Sequence, residues 1–191
     1  MDNSSERADS SAPLPTSRQF SANSRLPAKR RGEMAEAAFL LKAASLGFSV
    51  AKPWGDSDRY DFILDNGRRT WRVQVKSAHT SSLRGYTLHA CGKVQSRPYT
   101  AREIDFLVGY VVPDDVWYVF PISIFGSKRA AVTVFPSSRR RMSRFEIYRD
   151  AWCLMACPND GPCRDELNVS PRCKHAAGLS GSGRNETACP K

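Results

Sequence analysis

The sequence predicts an α/β fold in which a central mixed β-sheet is flanked by helices. Three observations predict it. Residues 32–46 are rich in Ala and other good helix formers. Residues 60–64 and 70–77 are β-prone runs, and Asp65-Asn66-Gly67 between them tolerates the positive φ of a tight hairpin turn. Residues 106–112 form a largely apolar run suited to a buried strand, and a further strand is expected over 116–121.

Taken in order, residues 1–31 are rich in Ser, Pro, Ala and Arg with few large apolar side chains, too few to offset the entropy of ordering. A disordered tail is expected there, with Lys29-Arg30-Arg31 as a short basic run at its end. The tail contains no apolar run of signal-peptide length, and no stretch of the chain approaches the roughly 20 apolar residues of a membrane helix. A cytoplasmic location is the expectation. The helix over 32–46 places Met34, Ala37, Ala38, Leu41 and Ala44 along one apolar side, and Gly47 closes it. Glu33 and Glu36 project from one side of this helix, and Glu33 reads as a first-turn carboxylate that favours the helix dipole.

A short strand is expected over 48–52, broken by Pro53-Trp54-Gly55. Asp56 and Asp58 then read as turn residues, and Arg59 and Tyr60 either approach the site that follows or simply pack. After the hairpin, 77–85 is a polar loop and 86–91 a strand with Leu88 and Ala90 on one face. His79 and His89 nearby read as ordinary polar residues. Residues 99–103 form a short helical or turn segment, Pro113-Asp114-Asp115 a turn, and 131–135 an edge strand. Phe145, Tyr148, Trp152 and Met155 recur at helical spacing and predict a closing helix packed by aromatics. The expected organisation is a tail over 1–31, one domain over 32–157 and a Cys-containing tail over 158–191.

The hairpin is where the pattern breaks. Strand side chains alternate, so Gln74 and Lys76 share one face while Val73, Val75 and Ser77 share the other, and Asp61 shares a face with Ile63. An acid, an amide and an amine thus interrupt otherwise apolar strands. The structural alternative is a half-buried strand whose Lys76 snorkels to water and whose Gln74 meets the backbone. The chemical alternative is that a carboxylate and an amide oxygen, both hard ligands, suit Mg²⁺, and that the lysine orients water or stabilises a phosphate. Phosphodiester hydrolysis uses that combination.

Asp61 followed by Gln74-Val75-Lys76 across a hairpin, with Gly32-Glu33-Met34-Ala35-Glu36 upstream, resembles the PD-(D/E)XK nuclease superfamily. Within it the sequence is most similar to the group I intron-associated PD-(D/E)XK endonucleases, which also carry Gln-Val-Lys in place of Glu-X-Lys. The resemblance continues through residues 54–61, 99–106 and 117–121 and covers about residues 30–155. It implies a restriction-endonuclease-like core and a DNA endonuclease using Mg²⁺, with Mn²⁺ as a substitute. Asp61, Gln74 and the Val75 carbonyl would hold the metal, Glu36 would complete its shell, and Lys76 would activate water. Assembly as a homodimer or homotetramer is a further implication. The neutral amide at Gln74 lowers the charge available to hold a cation.

Charge agrees with a phosphate polymer as partner: 29 Lys and Arg stand against 19 Asp and Glu, a net +10. Arg84, Lys93 and Arg97 follow the site in sequence, and Arg139-Arg140-Arg141 is the densest basic run of the expected domain, so these six are candidate DNA contacts. Of six cysteines, Cys91 reads as a small buried hydrophobe. The others crowd the C-terminus at spacings that match no recurrent zinc pattern, and no secretory signal argues for disulfides. Two further classes fit the same composition: a DNA-binding protein that keeps the fold without cleaving, and an interaction module whose basic surface is incidental.

Overall fold

The structure, a computed structural model, describes residues 26–55, 57–82, 85–92, 97–125, 130–137 and 143–156. Helix α1 spans Ala28–Ser45, a turn earlier than the sequence predicts, and enters through Pro27, whose fixed φ suits a helix start. Lys29, Arg30 and Arg31 therefore occupy the first helical turn, not a tail. Glu33 lies beyond that turn, which contains no acidic residue, so its expected dipole role is lost. Gly47, at φ +86°, ends the helix by donating to the Ala44 carbonyl at 3.0 Å.

The buried stripe of α1 is Ala35, Phe39 and Ala43. Of the predicted stripe only Ala38 packs in part, and Leu41 is 72% exposed. Both stripes are apolar at helical spacing, so periodicity alone does not choose between them. Tertiary packing chooses: the Phe39 ring lies 5.0 Å from Phe62, 5.9 Å from Trp152 and 6.2 Å from Trp117. Among the described residues no helix is long and apolar enough to cross a membrane.

The strands are β1 (Ser49–Ala51), β2 (Phe62–Asp65), β3 (Thr70–Ala78), β4 (Tyr86–His89), β5 (Phe106–Val111), β6 (Val116–Pro121) and β7 (Ala131–Val134). Five form a mixed sheet in the order β1-β2-β3-β5-β6, with β3 and β5 parallel and the other pairs antiparallel. Strand β5 is buried along its whole length, as its apolar run predicts. The hairpin forms as expected: Gly67 takes φ +81°, and Asn66 Oδ1 accepts the N–H groups of Arg68 and Arg69.

Strand β7 is not an edge of this sheet. It pairs with β4 in a separate two-stranded ribbon, Leu88 opposite Val132. The ribbon covers the face opposite α1, because Leu88, Val132 and Val134 pack with Leu107, Val111 and Phe120. Close approach depends on Gly109, where a Cβ would come within 2.3 Å of Leu88 Cδ1.

The predicted closing helix is broken in two. A 3₁₀ turn, Glu146–Tyr148, and a four-residue helix α2, Cys153–Ala156, are separated by Asp150 at φ +47°. Between them Arg149 bridges Tyr118, and the Asp150 N–H donates to the Trp117 carbonyl at 2.8 Å. The chain thus crosses the outer edge of β6, placing Tyr148 on the ribbon side and Trp152 and Met155 on the α1 side. Cys153 is disulfide-bonded, which corrects the expectation drawn from the lack of a secretory signal, and Cys91 is a free, half-buried thiol.

Candidate active site

Asp61 lies just before β2 and not within it. Its N–H donates to the Val73 carbonyl at 2.8 Å, the last rung of the hairpin ladder. Its carboxylate then replaces the next rung: Oδ2 accepts the Val75 N–H at 2.8 Å and Gln74 Nε2 at 2.5 Å. Gln74 Nε2 also donates to the Val75 carbonyl at 3.2 Å. Termination of β2 at Phe62 thus leaves this side of β3 open for a side chain to complete. Gln74, only 7% exposed, is the buried polar side chain among the described residues.

Alternation along β3 is as predicted. Val73 and Val75 pack toward α1, and Ala78, of the same parity as Gln74 and Lys76, packs on the ribbon side. Lys76 pairs in register with Gly109, over which the apolar Leu88 sits. Burial holds the Lys76 amine below its ordinary pKa, with help from the nearby Arg59 charge and against the pull of Asp61. Burial likewise raises the Asp61 carboxyl above the usual carboxylate range. The charge of Glu36 adds to that rise, while the Val75 N–H, Lys76 and Gln74 oppose it. Both groups are therefore pushed toward their neutral forms, a condition that clusters at functional sites.

Glu36 comes close enough to act on Asp61 and Lys76 electrostatically, but its Oε2 accepts from Lys52 Nζ at 2.7 Å. That pair raises the Lys52 pKa. Lys52, which the sequence reading did not single out, sits 16 residues away along the chain, and no local pattern marks it. Tyr99 is the second residue missed: its ring centroid lies 5.3 Å from Lys76 Nζ, and burial pushes its hydroxyl up to about 12. It stays protonated beside the site.

Of the candidate DNA contacts, Arg97 is described and is committed to Glu103, as is Arg59. Arg84, Lys93, Arg139, Arg140 and Arg141 lie outside the described residues. Asp58 is exposed in the loop before Asp61, as expected of a turn residue. His79 Nε2 faces Ser77 Oγ at 3.1 Å, and burial lowers its pKa.

The donor set can be tested against a hard cation. Asp61 Oδ2 and the Val75 carbonyl oxygen both converge on the positively polarised Gln74 amide nitrogen. Rotating that amide about its final bond would offer Oε1 at the same point, giving three oxygen donors of carboxylate, amide and carbonyl type. These donors are of the hard oxygen type that a divalent cation takes, with one carboxylate fewer than an Asp and Glu pair would offer. In keeping with that, no cluster of three His, Cys, Asp or Glu residues able to hold a metal occurs among the described residues.

The sheet, the helix and this hairpin define a PD-(D/E)XK nuclease core. The sequence profile of the PD-(D/E)XK endonuclease family matches residues 26–155, so the chain belongs to that family. Among solved structures it is similar to a bacterial homing endonuclease, I-Ssp6803I, at 31% identity and a TM-score of 0.61. The alignment covers 69% of this chain and 94% of that one. Among curated proteins no match is found.

Proposed function

We propose that the protein is a metal-dependent DNA endonuclease that hydrolyses phosphodiester bonds. The observation that carries this reading is the convergence of Asp61, Gln74 and the Val75 carbonyl on the strand that also carries Lys76, whose amine burial holds below its ordinary pKa. Asp61, Gln74 and the Val75 carbonyl would hold Mg²⁺ or Mn²⁺ through oxygen, and Glu36, which accepts from Lys52, would complete the shell. When bound, the ion supplies Lewis acidity at the phosphate and a lowered pKa for water. Lys76 donates a hydrogen bond from Nζ that orients the attacking water and stabilises charge developing on the phosphate oxygens. Burial favours both jobs, because a desolvated amine interacts more strongly and yields its proton more readily.

The domain occupies residues 32–157 together with the first turn of α1, acts in the cytoplasm and assembles as a homodimer or homotetramer on DNA. The net +10 charge supports a DNA partner. The test is cleavage of plasmid and branched DNA with Mg²⁺ or Mn²⁺, comparing wild type with Asp61→Ala and Lys76→Ala. Cleavage abolished by both substitutions is the expected outcome. One observation favours a second reading: the Gln74 amide nitrogen donates to both Asp61 and the Val75 carbonyl, occupying the oxygens that would ligate a metal. Salt-dependent DNA binding with no cleavage under any divalent ion would move the protein to that reading, a DNA-binding protein that does not cut.

A further inference from the structure

Resting on the nuclease reading, we propose that Tyr99 is a positioning residue for Lys76: its ring carries the lysine amine on its π face, and an Arg59–Glu103–Arg97 bracket fixes the ring. Tyr99 is 6% exposed, and its N–H donates to the Ala90 carbonyl at 3.0 Å, next to the bridge between Cys91 and Pro98. Lys76 Nζ lies 5.3 Å from the ring centroid and Arg59 Cζ lies 4.6 Å from it. Both are within the range at which the aromatic quadrupole attracts a cation.

Arg59 is held from four sides. Its Nε lies 3.3 Å from Glu103 Oε1, Nη2 donates to the Arg97 carbonyl at 3.2 Å, and its guanidinium rests on the Tyr99 ring. On its remaining side is Gly92, where a Cβ would approach Nη1 to 2.5 Å, so a larger residue would displace the guanidinium. Glu103 is fixed in turn, since Oε2 accepts from both the N–H and the hydroxyl of Thr100 at 3.0 Å and Oε1 takes Arg97.

An arginine so occupied contributes its charge to the site without being free to bind phosphate. Lys76 carries three rotatable donors on a flexible four-carbon stem and makes no side-chain hydrogen bond among the described residues, so the ring supplies the orientation. A precise amine position matters because a misplacement of about 1 Å in an active group can cost 100-fold in rate.

The test compares kcat, KM and DNA affinity for full-length wild type, Tyr99→Leu and Tyr99→Phe, with the Lys76 side-chain methylene signals followed by NMR. Tyr99→Leu is expected to lower kcat about 3- to 30-fold, the range of a desolvated cation–π contact, with KM and DNA affinity unchanged. Tyr99→Phe restores most of the loss. The Lys76 ε-methylene signals, assigned through Lys76→Arg, are expected upfield in wild type and Tyr99→Phe and at the solvent-exposed position in Tyr99→Leu. Should Tyr99→Leu fail to fold, Glu103→Gln, which loosens the bracket from an outlying turn, must lower kcat about 3-fold or more. An active wild type with an unchanged Tyr99→Leu kcat, or with no upfield shift at Lys76, overturns the positioning role alone. An inactive wild type overturns the nuclease reading itself.

Discussion

Strand β3 is flanked by two aspartates in nearly the same local setting, and they have opposite fates. Asp61 immediately precedes β2 and Asp105 immediately precedes β5, the two strands that flank β3. Each donates its own N–H to a β3 carbonyl, Asp61 to Val73 at 2.8 Å and Asp105 to Arg72 at 2.9 Å. Each also accepts a β3 N–H on its carboxylate at 2.8 Å, from Val75 and Arg72 respectively. The difference lies in the side chain that completes the pair. Asp105 receives the Arg72 guanidinium at 3.1 Å and 3.0 Å on its two oxygens, a forked, charge-matched contact. Asp61 receives a neutral amide. The first arrangement closes its charge and holds strands together, whereas the second leaves a half-buried carboxylate short of counter-charge on the strand that carries the half-buried Lys76 amine. The same backbone device therefore makes a staple at one place and the candidate active site at the other.

The largest expected effect separates the two aspartates directly. Asp61→Asn should lower kcat for DNA cleavage at least about 100-fold, the scale on which a single electrostatic group acts in a transition state. Its melting temperature in chelator should stay level or rise, because a half-buried charge whose desolvation outweighs its partners is removed while an oxygen remains for the Val75 N–H. Asp105→Asn should do the reverse, lowering the melting temperature with near-normal kcat. Equal losses of activity in two folded variants would erase the distinction.

Sharpening comes from giving Asp61 a different companion. Gln74→Glu restores a second carboxylate, so the Mg²⁺ concentration giving half-maximal cleavage should fall about tenfold, as expected for an added charge at a hard-ligand site. Without metal the same variant should be less stable, since two carboxylates then share one desolvated site. A metal titration of cleavage and a melting curve in chelator measure the two halves. A midpoint unmoved by the substitution would mean that Gln74 is not near the cation.

The Asp61 half of this contrast is legible in the sequence, and the Asp105 half is not, for physical reasons. The hairpin, the alternation of Gln74 and Lys76 against Val73 and Val75, and the buried run at β5 follow from local turn chemistry and period-two patterning. The face of α1 was missed because Met34, Ala37 and Leu41 repeat as well as Ala35, Phe39 and Ala43 do, and only the aromatic cluster under Phe39 distinguishes them. The broken closing helix was missed because helical spacing of Tyr148, Trp152 and Met155 also serves a chain that steps across a sheet edge. Lys52, Tyr99 and the Arg72–Asp105 pair are brought together from positions 16 to 33 residues apart. No window of sequence contains such contacts.

A third comparison removes the staple's cation. Arg72 also donates to the Ala101 and Arg102 carbonyls, tying β3 to the turn before β5. Arg72→Met should cost about 1–2 kcal/mol, discounted because both partners are partly exposed, and should leave cleavage within about threefold of wild type. Chemical denaturation and a cleavage assay decide it. A large loss of activity at full stability would place Arg72 in the site and not in the staple.

The smallest effect concerns proton linkage at Asp61, with Asp61→Asn as its control. In metal-free protein the folded pKa of Asp61 is raised by burial, so the folded state binds its proton more tightly than the unfolded state does. The stability this contributes is fully present below the unfolded pKa of about 3.9 and is lost as pH rises through the higher folded value. Wild type should therefore fall progressively behind Asp61→Asn in melting temperature from strongly acidic to neutral pH, with chelator present throughout. Glu103 runs the other way: burial opposes its ionisation, but hydrogen bonds from Thr100 and the charges of Arg59 and Arg97 prevail and lower its pKa. Its contribution is present above its unfolded value and lost as pH falls, yet it is common to both proteins and cancels in their difference. A difference that stays flat across the acidic range would show that Asp61 is no less comfortable as an anion when folded than when unfolded, and the contrast with Asp105 would then rest on geometry alone.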